Sequence, residues 1–230
     1  MSRVAIIIPT LNEEKNLLRI ISNLIHLNYR LVFVDGKSTD NSLSVIRTLC
    51  PDVTVLIQKG EGKGSAIIEA LNHIEEEFVL TIDADGSHDT NEIDRFIRKL
   101  NEGFDVVAGS RYLRGGGSED LTAVRKIGNK VLVKITNVLY GSRLTDLCYG
   151  FRAYRTECLR SLDLKCSGFN IDAEIMAKSL KSGLKVAEVP SFERRRQFGN
   201  SKMHALRDGL RILSTIVKVR FSWNTKWECV

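Results

Sequence analysis

Apolar positions along the first 110 residues switch between two spacings. Residues 4–8 form a short continuous apolar run, as in a strand covered on both faces. Over residues 12–27 the spacing becomes helical, with Leu17, Ile20, Ile21, Leu24 and Ile25 on one face. The alternation then repeats. Strands are predicted over 31–34, 53–57, 78–82 and 104–108, and helices over 41–49, 65–74 and 90–100, the first of these capped by Asp40. Such alternation predicts a parallel sheet with helices on both faces, which binds ligands at the carboxyl ends of its strands.

The residues at those ends are polar. Pro9-Thr10-Leu11-Asn12-Glu13 follows the first strand and Asp35-Gly36-Lys37-Ser38-Thr39-Asp40 the second. Lys59-Gly60-Glu61-Gly62-Lys63-Gly64 follows the third, Asp83-Ala84-Asp85-Gly86-Ser87-His88 the fourth, and Gly109-Ser110-Arg111 the fifth. One polar loop is ordinary. Five in register, carrying carboxylates, glycines and an arginine, point to a site.

Beyond residue 110 the pattern is less regular. Gly115-Gly116-Gly117 predicts a flexible loop. A helix over 122–140 places Lys126, Lys130 and Lys134 four apart on one stripe. A strand over 150–155, a helix over 171–182, a strand over 185–189 and a helix over 203–220 complete the series. No repeat or low-complexity linker divides the chain. One domain over 1–202 is expected, followed by an amphipathic helix and tail over 203–230.

Charge sharpens the picture. The 230 residues carry 34 Lys+Arg against 28 Asp+Glu, a formal +6. Residues 1–110 hold 11 basic and 17 acidic side chains, whereas residues 111–230 hold 23 and 11. An acidic half joined to a basic half points to anionic ligands, nucleic acid or a membrane surface. With 43% apolar and 27% charged residues, wholesale disorder is excluded. The five cysteines are odd in number and form no C-x-x-C pair, which argues against a disulfide framework or zinc ribbon and fits a reducing compartment. The first apolar run is too short for a signal peptide, and no run is long enough to span a membrane.

Within the strand-end loops, Asp83-x-Asp85 is the sharpest signal. In an extended segment the two carboxylates point the same way and can hold a divalent cation shared with a phosphate; the alternative is a helix cap. The loop Gly60-Glu61-Gly62-Lys63-Gly64-Ser65 matches neither a Walker A loop nor a dinucleotide fingerprint, leaving a nucleotide passage or a tight turn. Arg111 with Arg125, and Arg194-Arg195-Arg196 with Lys202, are two basic clusters suited to phosphate, although a triple arginine is also an ordinary solvated face. In a strand, Arg194 and Arg196 would share a side and Arg195 would point away. The last helix repeats Met203, Leu206, Leu210, Leu213 and Val217, with Arg207, Arg211 and Lys218 off that line and Phe221, Trp223 and Trp227 trailing. It packs on the core or lies at an interface.

Six segments in order resemble a family. They are Pro9-Thr10-x-Asn12-Glu13, Asp35-Gly36-x-Ser38-Thr39-Asp40, Asp83-Ala84-Asp85-x-x-His88, Gly109-Ser110-Arg111-Tyr112, Gly150-Phe151-Arg152-Ala153-Tyr154 and Gly199-Asn200-Ser201-Lys202. Residues 4–220 are thereby similar to family 2 glycosyltransferases, above all to the dolichyl (polyprenyl) phosphate mannose or glucose synthases. The resemblance implies an α/β fold of the GT-A, Rossmann-like type, with a mainly parallel central sheet flanked by helices. It implies a GDP- or UDP-hexose donor, a polyprenyl or dolichyl phosphate acceptor, and Mg2+ or Mn2+. It places Pro9, Leu11, Glu13, Val34 and Asp35 around the base and ribose. It places Asp83, Ala84 and Asp85 at the metal and diphosphate, and Arg111 at a phosphate. Arg194 or Arg196, with Lys202, would close over the donor, and Arg125 would meet the acceptor phosphate. Asp85, Arg111 and a helper, Asp146, are the candidate catalytic residues. Gly36 and Ser87 depart from the pattern, since many members have a second acid at the first position and some have Gln at the second.

The mechanism so implied is single displacement with inversion. The acceptor phosphate is already anionic, so no strong base is required. The basic half, with Lys126, Lys130, Lys134 and the last helix, suits a peripheral protein on the anionic cytoplasmic face of a membrane. A soluble sugar or protein hydroxyl acceptor on the same fold is the rival reaction. A nucleic-acid-binding module is the non-enzymatic rival, disfavoured because few aromatics interleave the arginines.

Overall fold

The computed structural model describes residues 3–199 and 201–222. Asn200, Trp223 and Trp227, named above, and Cys229, one of the five cysteines, lie outside the described residues. The first half follows the predicted alternation: β1 (Val4–Thr10), α1 (Glu14–Leu24), β2 (Arg30–Asp35), α2 (Ser42–Leu49), β3 (Thr54–Ile57), α3 (Gly62–Leu71), β4 (Phe78–Thr81), a 3-10 turn (Thr90–Glu92), α4 (Ile93–Asn101) and β5 (Val106–Ser110). The second half adds β6 (Gly117–Ser118), α5 (Ala123–Tyr140), β7 (Arg152–Arg155), α6 (Thr156–Ser161), α7 (Ile171–Lys181), β8 (Val186–Pro190), β9 (Phe192–Glu193) and α8 (Ala205–Phe221). The sequence pattern missed α6, β6 and β9, which are too short to show a period.

Seven strands form one sheet in the order β3-β2-β1-β4-β7-β5-β8. β7 runs antiparallel to both β4 and β5, and the other pairs are parallel. Side chains alternate between two apolar layers, as the pleat requires. Ala5 and Ile7 of β1 join Val32, Val34 and Val79 on one face, packed under α3, α5, α7 and α8. Val4, Ile6 and Ile8 join Phe33 and Leu80 on the other, packed under α1, α2 and α4. Ile212 and Ile216 of α8 lie in the first cluster, so the last helix shares the core of the sheet.

Asp40 acts at two helix starts. One carboxylate oxygen accepts from the Ser42 amide at 3.0 Å, and the other accepts from the Glu14 amide at 3.2 Å. It thereby satisfies otherwise orphaned donors of both α1 and α2.

Candidate active site

The parallel strands β1, β2, β3 and β4 end on one side of the sheet, and their following loops surround a cavity of about 580 Å3. Pro9, Leu11 and Glu13 after β1 line it, as do Asp83, Ala84 and Asp85 after β4. Arg196 and Lys202 complete the wall. Burial raises the Glu13 carboxyl above its ordinary value, against the lowering effect of Asn16 and Lys202. Val34 and Asp35, placed at the nucleoside by resemblance, do not line this cavity. Val34 is core, and Asp35 is fully buried with one oxygen accepting from the Ser38 amide at 2.9 Å. Its other oxygen has no partner.

The glycine loop enters α3. A Cβ on Gly64 would collide with the Cys166 carbonyl and come within 2.9 Å of the Ser167 carbonyl carbon. The Gly64 amide donates to Ser167 O at 2.7 Å. These glycines therefore let α3 seat directly on the backbone of the 166–168 segment, while Gly60 and Gly62 also line the cavity.

A second cavity, of about 210 Å3, lies between α5, α8 and the 147–150 segment. Leu121, Val124, Leu132, Met203, Leu206 and Ile212 give it apolar walls; Arg111 and Arg125 are its arginines besides Arg196. Arg125 donates to Met203 O at 3.2 Å. The two cavities share Lys63, Asp83, Asp85 and Arg196, so they meet at the Asp83-x-Asp85 motif.

At this junction each carboxylate faces a cation. Lys63 lies 2.8 Å from Asp83 and 3.2 Å from Asp172. Burial opposes its charge, but Asp172 and then Asp83 outweigh that and raise the ammonium above its ordinary value. Burial likewise opposes the Asp83 carboxylate, yet Lys63 and His88 hold it down at about 2. Asp85 pairs with Arg196 at 2.6 Å. A side chain on Gly150 would displace this arrangement, because its Cβ would sit 2.9 Å from Asp83 Oδ2 and against Lys63 Nζ.

The segment after β9 straps the site. Arg196 reaches Asp85, Lys202 donates to Leu11 O and lies 3.7 Å from Glu13, and Asn16 donates to Phe198 O. Arg194 pairs instead with Asp89 at 2.7 Å and lines neither cavity. Arg194 and Arg196 therefore do not converge on one ligand. Arg111 is held from behind. Its guanidinium makes two contacts to Asp146, at 2.7 and 3.0 Å, and one to Glu193 at 3.1 Å. Asp146 is buried and lines neither cavity. Its place is beneath Arg111, which corrects the expectation of a helper beside the reacting groups.

The glycosyl transferase family 2 model matches residues 5–163, most of the strand-end loops included. The chain belongs to this family. Its curated relatives include glycosyltransferase AglJ of Haloferax volcanii, 32% identical over 90% of this chain and 68% of that protein. The dolichol-phosphate mannosyltransferase of Pyrococcus furiosus is 31% identical over 87% of the chain, which spans 59% of that longer protein. A dolichyl-phosphate hexose transferase of Haloferax volcanii is 28% identical over 94% of this chain and 93% of that protein. The fold matches glucosyl-3-phosphoglycerate synthase of Mycobacterium tuberculosis, solved with Mn2+, uridine diphosphate and glucosyl-3-phosphoglycerate. The TM-score is 0.75 at 18% identity, covering 94% of this chain and 79% of that one. This family 2 glycosyltransferase thus has the GT-A fold.

Two hard carboxylates on the cavity wall suit Mg2+ or Mn2+, with the remaining positions left to phosphate and water oxygens. Among the described residues no cluster of three or more His, Cys, Asp or Glu is set to hold a metal. The sequence reading of this family 2 chain missed Lys63 and Asp172. Lys63 stood in view in the glycine loop, but its partner lies 109 residues away.

Proposed function

We propose that this glycosyltransferase moves a hexose from a nucleoside-diphosphate sugar to a polyprenyl phosphate, with inversion. The observation that carries the proposal is the junction: the cavity at the strand ends meets, at Asp83 and Asp85, an arginine-bearing cavity walled by apolar side chains of α5 and α8. The names of the relatives support the same reading.

In this reading the nucleoside rests on Pro9, Leu11 and Glu13, and the sugar and diphosphate reach Ala84 and Asp85. A divalent cation bound at Asp83 and Asp85 would neutralise charge on the diphosphate leaving group. Arg196, Lys202 and Lys63 add fixed positive charge along the same wall, where it stabilises the departing nucleoside diphosphate. Arg125 and Arg111 receive the acceptor phosphate, whose oxygen forms the new bond to the anomeric carbon as the bond to the diphosphate breaks. Asp146 and Glu193 hold Arg111 in place. No base is needed for an acceptor phosphate, which is already anionic. Four of the five carboxylates that line the acceptor cavity, Asp83, Asp85, Asp172 and Glu193, are ion-paired to a lysine or arginine, and the fifth is Asp120. A hydroxyl acceptor would need a carboxylate to remove its proton.

Radiolabelled GDP- and UDP-hexoses tested with Mg2+ or Mn2+ against a polyprenyl phosphate, a soluble sugar and a protein hydroxyl would separate the acceptors. Asp85→Asn is expected to fold and to retain little transfer. Equal transfer to the soluble hydroxyl, or near wild-type turnover by Asp85→Asn, would overturn the proposal.

A further inference from the structure

Carboxylates fix Arg111 at its edges. Asp146 takes Nε and one terminal nitrogen, and Glu193 takes the other. A planar group also needs a face held, and Tyr149 stands there, with the guanidinium carbon 4.9 Å from the centre of its ring. A cation over an aromatic face is attracted by the ring quadrupole, most strongly where water is excluded. Both side chains are almost wholly buried, and both residues line the acceptor cavity.

The ring has no room to swing away. A Cβ on Gly109 of β5 would lie 2.9 Å from Tyr149 Cε1, so the strand admits the ring only because that position is glycine. His88 meets the ring edge-on, with centroids 4.9 Å apart and planes at 80°. His88 is backed in turn by Phe151, stacked at 5.0 Å and 9°. The phenol oxygen lies 3.1 Å from Ser191 Oγ, which donates to Glu92 at 2.5 Å, so the polar tip of the ring is anchored as well.

The backbone that carries the ring is clamped too. Arg152 is fully buried and donates to Leu147 O at 2.5 Å, to Tyr149 O at 2.9 Å and to Asp172 O, at the start of α7, at 2.8 Å. Asp146 and Tyr149 therefore reach Arg111 from one fixed segment, the first at its edge and the second on its face.

The donors left over give this packing a consequence. The two carboxylates take three of the guanidinium's five N–H groups and leave two without a carboxylate partner. Arginine grips a phosphate through N–H groups in the plane of its fork, so a tilt of that plane misdirects them. We propose that Tyr149 is a positioning residue: its ring sets the plane of Arg111 so that the two remaining N–H groups meet the anionic oxygens of the acceptor. The placing of Arg111 stands on the geometry around the ring. Only the identity of the anion rests on the polyprenyl phosphate reading.

The test uses the full chain. Tyr149→Leu and Tyr149→Met remove the aromatic face, whereas Tyr149→Phe keeps it and loses only the hydroxyl. With a short, water-soluble prenyl phosphate, the first two are expected to raise the acceptor KM about tenfold while kcat stays within about threefold. Binding of GDP or UDP with Mg2+, read by calorimetry, should stay within about twofold of wild type. Tyr149→Phe should hold the acceptor KM within about twofold, although its Tm falls because buried Ser191 loses a partner. Phe33→Leu opens the core in β2 and controls for lost stability: it should lower Tm and leave the acceptor KM unchanged. A readout free of any acceptor is the Arg111 Nε–H signal in a proton–nitrogen correlation spectrum, assigned by its loss in Arg111→Lys. The ring current of Tyr149 shifts this signal; Tyr149→Leu and Tyr149→Met should return it toward the position of a free arginine, and Tyr149→Phe should not. A signal that the leucine and methionine variants leave in place overturns the proposal. An acceptor KM that they leave at the wild-type value also overturns it, as does one that rises equally in Phe33→Leu. If wild type passes hexose to no prenyl phosphate, the acceptor reading falls, and the Nε–H signal alone decides whether Tyr149 places Arg111.

Discussion

Asp146→Asn isolates what a buried ion pair contributes behind the acceptor cavity. Asp146 and Arg111 are both almost wholly buried, and the guanidinium meets the carboxylate through Nε at 2.7 Å and a terminal nitrogen at 3.0 Å. The same carboxylate accepts from the Arg111 and Cys148 amides, each at 3.2 Å. An asparagine keeps one acceptor and turns an NH2 toward a donor, so one of the two guanidinium bonds becomes a donor–donor clash. Breaking a buried pair by removing one charge costs about 3–5 kcal/mol. Glu193 still faces Arg111 at 3.1 Å, which places the expected loss near the lower end, about 3 kcal/mol. For a chain of this size that lowers Tm by about 6–12 °C, at 2–4 °C per kcal/mol. Thermal unfolding followed by circular dichroism reads the shift, and urea unfolding gives the free energy. A double variant with Arg111→Met should recover part of the loss, because the uncompensated buried charge is then gone too. Asp146→Asn within 2 °C of wild type would refute the reasoning.

Other perturbations test separate parts of the site. Gly64→Ala should destabilise by about 1–3 kcal/mol or prevent folding, because its Cβ meets backbone that cannot move aside. Gly128→Ala, with open space around it in α5, should stabilise by about 0.5–1 kcal/mol; urea titrations that rank the two the other way would contradict the packing described. Arg196→Ala should lower transfer by about tenfold or more, whereas Arg194→Ala, outside both cavities, should stay within about threefold; equal losses would show that the strap is wrongly assigned. The Asp83 carboxyl is held down at about 2, so its pairing contributes fully above the ordinary value of 3.8 and is lost as pH falls from there toward 2. Lys63→Met removes the ammonium that does most of this, so Tm should be lower near neutral pH and the acid limb of the Tm–pH curve should flatten, the two proteins converging as pH falls toward 2; a constant offset across that range would exclude the pairing.

Much of the first half was legible because its information is local. Apolar runs and helical stripes recur within windows of a few residues, so β1 to β5 and α1 to α4 could be placed from spacing alone. The Asp83-x-Asp85 pair was equally plain, since strand geometry by itself puts both carboxylates on one side. The glycine loop was not, because the need for Gly64 arises from Cys166 and Ser167, a hundred residues on. β6 and β9 have two residues each and pair with one another, with Glu193 also bridging to His88, so nothing periodic announces them.

Sequence alone determined the alternation of strands and helices, the polar strand ends, and an acidic half joined to a basic one. Periodicity and composition are properties of neighbours along the chain, and these features need nothing else. Tertiary structure alone decided that β7 enters antiparallel between β4 and β5. It also decided that Arg196 rather than Arg194 reaches Asp85, that Asp146 holds Arg111 instead of facing the reacting groups, and that Lys63 links the two cavities. It showed that α8 has a buried apolar face and an open one, where the sequence had offered a choice between core and interface. Each of those outcomes depends on which distant segments the closed sheet brings within a few ångströms, a relation that no local spacing encodes.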